Sequence, residues 1–325
     1  DEVMTPRVKK RLAARCSGGL WAWLLCTAAA LPAGQALAAY DQLYLTAPDV
    51  SSCSAGRIQS EEGRRVLEVV NEIRRLHGLG EVGWDPQAEE ATQQAALMLA
   101  LNRRLSHTPS ADWVCHSPAG VQGAATSNLH LSVAPSEFDP RPSTDMVVGF
   151  LTDVRNRHAG DVGHRRWLLD PFLKRVAFGR VGLVLDGGVQ VDAAALSVVS
   201  PVASQDGPTR GNIHADHLAW PSGNYPQKYF HPDAYLSFSA VVDPYERAAN
   251  MAVDYREAQV SLRRPDGRTL PVSQLRFDLQ PVGLPNHLQF RAEGIEPDVE
   301  YEAVIQGVRV EGVARDYRYR FRITP

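Results

Sequence analysis

The stretch GHRRWLLDP, residues 163–171, decides how the fold is read. Its first part reads as a short helix over 164–169, and Asp170-Pro171 ends it, because proline disfavours helical backbone in the residue before it. Upstream, a longer helix is expected over 144–158, with Met146, Val147, Phe150, Leu151 and Val154 as its apolar residues. Downstream, residues 175–185 and 189–200 are β-prone runs joined by Asp186-Gly187-Gly188, a turn signature, and so predict a hairpin within a sheet.

Moving outward, Val66, Val70, Ile73 and Leu76 or His77 repeat at helical spacing within EEGRRVLEVVNEIRRLHGLG (61–80), and Gly78 stops the run. Asp85-Pro86 reads as an N-cap followed by a first-turn proline. The helix it opens has a small face of Ala88, Ala91 and Ala95 beside Met98 and Leu99, suited to close packing. Residues 109–142, rich in Ser, Pro, Gly and Ala, are expected to form a long loop serving a site. Past a connection over 201–232, short β-like runs at 235–242, 258–263, 275–279, 287–292, 301–310 and 316–323 suggest a β-sandwich. Ile295-Glu296-Pro297 ahead of Tyr301 has the form of a tyrosine corner, with an ordinary strand tyrosine as the other reading.

His107, Ser127-Asn128-Leu129 and the 163–171 stretch occur in an order that resembles the CAP superfamily. That superfamily unites cysteine-rich secretory proteins, antigen 5 and pathogenesis-related 1 proteins (the SCP domain), and includes secreted bacterial members. Asn71, Arg74, Trp84-Asp85 and Ala177-Phe178-Gly179 add to the resemblance, which covers roughly 61–200. It implies an α+β chain in which a CAP-type α/β/α sandwich is followed by an immunoglobulin-like or fibronectin-like β-sandwich. The expected divisions are a signal peptide at 1–38, an irregular segment at 39–60, the CAP domain at 61–205, a linker at 206–232 and the sandwich at 233–325.

The family's usual cleft holds two histidines and two glutamates. The resemblance maps the histidines onto His107 and His164, puts Ser127 where the first glutamate stands, and puts Asp153 at the second, with Phe150 where a tryptophan is usual. One carboxylate is thus lost and the other shortened. Two imidazoles and a carboxylate suit Zn²⁺ or another divalent metal with an open position, so His107, His164 and Asp153 are the metal and catalytic candidates of a hydrolase reading. The same three suit proton transfer without metal, and a structural reading has the histidines tie the loop to the core instead. A Ser127–His–Asp153 triad lacks the Gly-x-Ser-x-Gly elbow around Ser127. Ser127, Asn128 and Arg165 are the remaining cleft candidates, while Arg165 and Arg166 are expected to pair with acids. His116, His158 and Asp161 are substitutes, and His214, His217 and His231 read as solvated connector histidines.

Basic residues between Arg7 and Arg15, an uncharged run over 16–40 and Ala36-Leu37-Ala38 have the layout of a secretory signal cleaved after Ala38, which leaves no permanent membrane anchor. Its removal takes away five basic and two acidic side chains and moves the formal net charge from −3 to −6, so nothing attracts nucleic acid. A secreted or periplasmic location follows, and Cys53 and Cys115, the two cysteines that remain, are expected to form a disulfide. With no phosphate loop, His-Glu-x-x-His or Cys-x-x-Cys pair, binding of a lipid, glycan or protein leads over an enzyme and over a structural or adhesion module.

Overall fold

The computed structural model describes residues 40–136, 138–156, 160–199 and 213–325. The expected signal peptide and its cleavage site lie outside these residues, as do His158 and the 206–212 part of the expected linker. Among the described residues no helix is long and apolar enough to cross a membrane.

Strands β1 (Tyr44–Thr46) and β2 (Arg57–Ile58) pair ahead of α1 (Ser60–Leu76), whose Val66, Val70 and Ile73 are fully buried. After β3 (Gly83–Trp84) comes α2 (Glu89–Asn102). Asp85 was expected to cap α2, but its Oδ1 instead accepts from the Gln87 N–H at 3.1 Å, closing a turn ahead of the helix proper. The segment 109–142 is not one long loop. It holds α3 (Pro118–Thr126) and β4 (Ser127–Ala134), started by Ser117, whose hydroxyl accepts from Gly120 N–H at 3.1 Å. Small residues that look shapeless in sequence form a helix here because α3 lies directly against α2, where Cβ at Gly123 would stand 2.0 Å from the Ala91 carbonyl oxygen.

Helix α4 (Ser143–Thr152) ends earlier than the expected 158, because Asp153 takes a left-handed conformation with φ 56°. Aspartate is one of the few non-glycine residues that adopts it readily. Then follow α5 (Gly163–Leu168), β5 (Arg175–Val176), β6 (Phe178–Leu185) and β7 (Val189–Ser197). The three-stranded sheet runs β4-β7-β6 with every pairing antiparallel. Along central β7 the faces alternate: Val191, Ala193 and Ala195 join the core under α2 and α3, while Ala194 and Leu196 join the core with α1 and α4. Helices therefore cover both faces, which is the α/β/α arrangement.

The C-terminal region is β-rich, and it begins before residue 233. Strands β8 (His217–Trp220) and β9 (Gly223–Pro226) fall in the expected linker, yet both pair within sheets. The later strands are β10 (Leu236–Ala240), β11 (Val253–Asp254), β12 (Gln259–Arg263), β13 (Thr269–Leu270), β14 (Val272–Asp278), β15 (His287–Ala292), β16 (Glu300–Val310) and β17 (Val313–Thr324). One sheet runs β14-β15-β10-β8 and the other β13-β12-β16-β17-β9. Their facing sides meet in aromatic contacts, with the Phe238 ring 5.0 Å from that of Tyr317. The tyrosine corner is present: the Tyr301 hydroxyl accepts from the Glu296 N–H at 2.9 Å and donates to the Gly294 carbonyl at 3.3 Å.

Candidate functional site

The left-handed end of α4 turns the Asp153 side chain toward α5. Its Oδ1 accepts from Nδ1 of His164 at 2.7 Å, and its Oδ2 accepts from the Arg165 backbone N–H at 3.2 Å. The carboxylate is sealed from solvent while the His164 side chain stays 21% exposed. An ionised carboxylate only accepts, so Nδ1 carries a proton, and in the neutral form of the ring the acceptor is then Nε2. The Phe150 ring lies 5.2 Å from that of His164 between centroids, on the residue where the family usually has tryptophan. Asp161 fixes the start of α5 by accepting from the Gly163 N–H at 2.8 Å. Asn128, at the head of β4, donates to the His164 carbonyl at 3.0 Å, so strand, helix end and short helix all converge on one histidine.

The other expected members behave differently. His107 is exposed and its Nδ1 bonds the Ala124 carbonyl of α3 at 2.8 Å, which ties the post-α2 loop to α3. Ser127 Oγ is buried and makes no hydrogen bond among the described residues, so no Ser–His–Asp relay is formed. Among the described residues, no three His, Cys, Asp and Glu side chains are grouped to hold a metal ion. The residues present therefore do not fit the zinc set of His107, His164 and Asp153.

The Arg165 side chain is buried away from the cleft and does not pair with an acid. It is 1% exposed, and its guanidinium donates to the carbonyls of Leu151 (2.6 Å), Thr152 (3.0 Å) and Tyr235 (2.6 Å) and to the Ser237 hydroxyl (3.1 Å). Its carbon sits 3.8 Å over the Trp220 ring. Burial pulls its pKa down to about 10, and the nearby Asp153 opposes that pull. Arg166 does pair as expected, with Asp278 at 2.8 Å. The side chain after His164 thus anchors α5 in the β-rich region.

The expected disulfide between Cys53 and Cys115 is present and joins the segment before α1 to the loop after α2. His217, expected to be solvated, stacks 5.5 Å from Phe238 and bonds Asp216 at 2.7 Å.

Residues 67–183 match the model of the cysteine-rich secretory protein family, CAP. Among solved structures, an outer surface protein of Borrelia burgdorferi is similar at 16% identity over 43% of this chain and 95% of that one, with a TM-score of 0.26. No curated protein matches the chain.

Proposed function

Because the chain carries a CAP domain, we propose that it is an exported ligand-binding protein whose cleft beside α5 takes a small, largely apolar ligand through one hydrogen bond to Nε2 of His164. The observation that carries this reading is the 2.7 Å bond between buried Asp153 and partly exposed His164. It sets which nitrogen carries the proton, so in the neutral ring Nε2 is the free acceptor of a side chain that is 21% exposed. A disulfide suits an oxidising compartment, which supports export. A metal-assisted hydrolase has less support, since no three His, Cys, Asp or Glu side chains are grouped to hold a metal ion among the described residues.

Calorimetric titration of the protein with Zn²⁺ and then with medium-chain alcohols tests this, against the His164→Leu and His107→Ala/His164→Ala variants. No stoichiometric zinc binding is expected. Alcohol binding should weaken about 2- to 10-fold in His164→Leu, the loss of one net hydrogen bond of about 0.5–1.5 kcal/mol. Stoichiometric zinc binding lost in the double variant would establish the metal site and the hydrolase instead. Alcohol affinity that is absent or indifferent to His164 would leave a surface polymer or a protein as the ligand.

A further inference from the structure

Residues of β2, α1, β3 and the start of α2 line a cavity of about 620 Å³. That volume is inside the range of about 300–1,000 Å³ usual for ligand pockets. None of its lining residues belongs to the Asp153–His164 cleft, so this is a separate site.

Its apolar wall is made by Leu67, Trp84 and the buried Phe178. The indole is held at two points. Its Nε1–H donates to Glu89, and its far edge lies against α1 at Gly63, where a Cβ would stand only 3.0 Å from Trp84 Cη2. Trp84 is thereby a fixed, partly exposed aromatic face. The rim is polar and balanced in charge. Arg57 faces Glu89 at 3.9 Å, and Arg64 is held by Glu61 and Glu68 on α1. Glu90, Gln94 and Ser60 also line the cavity and make no side-chain hydrogen bond within the described residues.

We infer that this cavity is a binding site for a neutral saccharide. A sugar ring presents a patch of C–H groups on one face, which the electron-rich face of Trp84 attracts. Its edge carries hydroxyls that both donate and accept, which matches a rim with carboxylate acceptors at Glu89 and Glu90 and donors at Arg57 and Gln94. An anion would meet both glutamates and a cation both arginines. A wholly apolar ligand would cover Glu90, Gln94 and Ser60 without giving them partners, at the cost of their desolvation.

Saturation-transfer NMR and calorimetry on the intact protein test this with maltotriose and triacetylchitotriose as neutral probes and decanol as the apolar control. Binding of at least one trisaccharide is expected, with affinity reduced about tenfold or more in Trp84→Ala and severalfold in Glu90→Ala. Glu90 is exposed and unpaired, so its replacement leaves the fold intact, and a matching thermal melt would confirm that. Binding of neither trisaccharide, with or without binding of decanol, overturns the inference. So does trisaccharide binding that both variants leave unchanged, because the sugar would then sit elsewhere. The His164→Leu variant should bind the trisaccharides as the parent does, which separates this site from the cleft beside α5.

Discussion

Arg180 and Asp192 stand in mostly apolar strands on either side of the 186–188 turn, and the folded hairpin closes them into a two-pronged pair at 2.9 and 2.6 Å. Their side chains are 4% and 2% exposed, and Arg180 also donates to the Ser143 hydroxyl at 2.9 Å. Burial works against the arginine's charge, but Asp192 outweighs it and holds the Arg180 pKa above its ordinary value. Asp192→Ala should therefore leave a buried charge without a partner and cost about 3–5 kcal/mol, read as a fall in urea midpoint. Replacing both residues with Met and Leu should cost much less, and a single variant within 1 kcal/mol of the parent would show that the pair is not sealed. The cleft residues Asp153, His164 and Asn128 were reached in the sequence through the resemblance to the CAP superfamily, which maps its cleft positions onto them. The fate of Arg165 was not. Its four acceptors are neutral groups, two of them more than 60 residues away on the β-rich side, and no local pattern announces a carbonyl cage.

Helix α1, with its strong apolar periodicity, was legible, and α3, built from small residues, was not. Helix α1 falls within one or two residues of its expected span because Val66, Val70 and Ile73 make an unambiguous stripe. Helix α3, PAGVQGAAT, has no such stripe, and what makes it helical is its contact with α2 and the cap at its start. That account has a measurable consequence. Ser117→Ala removes the hydroxyl that receives the Gly120 N–H and should destabilise the domain by about 0.5–2 kcal/mol. Ser117→Asp, which keeps an acceptor beside the positive helix end, should restore most of it. Equal chemical-denaturation curves for parent and Ser117→Ala would mean that tertiary contact alone sustains α3. The early stop of α4 has a similar origin. Val154 continues the apolar pattern, but the left-handed Asp153 breaks the helix and in doing so delivers its carboxylate to His164.

Across the whole molecule, the α/β/α part and the β-rich part share one buried cluster, in which Val70 and Leu168 belong with Trp220 and Leu236. Polar side chains cross the same boundary: Arg247 meets Asp170 at 2.6 Å, and Glu72 takes the Tyr229 hydroxyl at 2.7 Å. The sequence pattern placed the boundary late because β8 and β9 are four residues each and flank Pro221, which reads as linker until their sheet partners are known. His77 is the member of this boundary with a pH signature. It is buried at the end of α1, with Nδ1 2.9 Å from the Ala219 carbonyl and Nε2 3.0 Å from the Tyr225 hydroxyl, an arrangement that suits the neutral ring. Burial lowers its pKa from 6.5 to about 3, with Arg165 and Arg74 pushing the same way and the Ala219 bond opposing. The folded state thus holds the ring neutral while the unfolded chain takes up a proton near the ordinary value. Stability from this group is complete above pH 6.5 and falls as pH drops from there toward 3. The slope due to one such group is about 1.4 kcal/mol per pH unit. His287 and His130 are shifted in the same direction by burial, so a residual slope belongs to them. Urea midpoints of the parent and of His77→Met, taken from about pH 7.5 down to about pH 4.5, should diverge progressively, with the parent losing stability faster on acidification. Parallel curves would show that His77 titrates normally and that the two parts do not seal it between them.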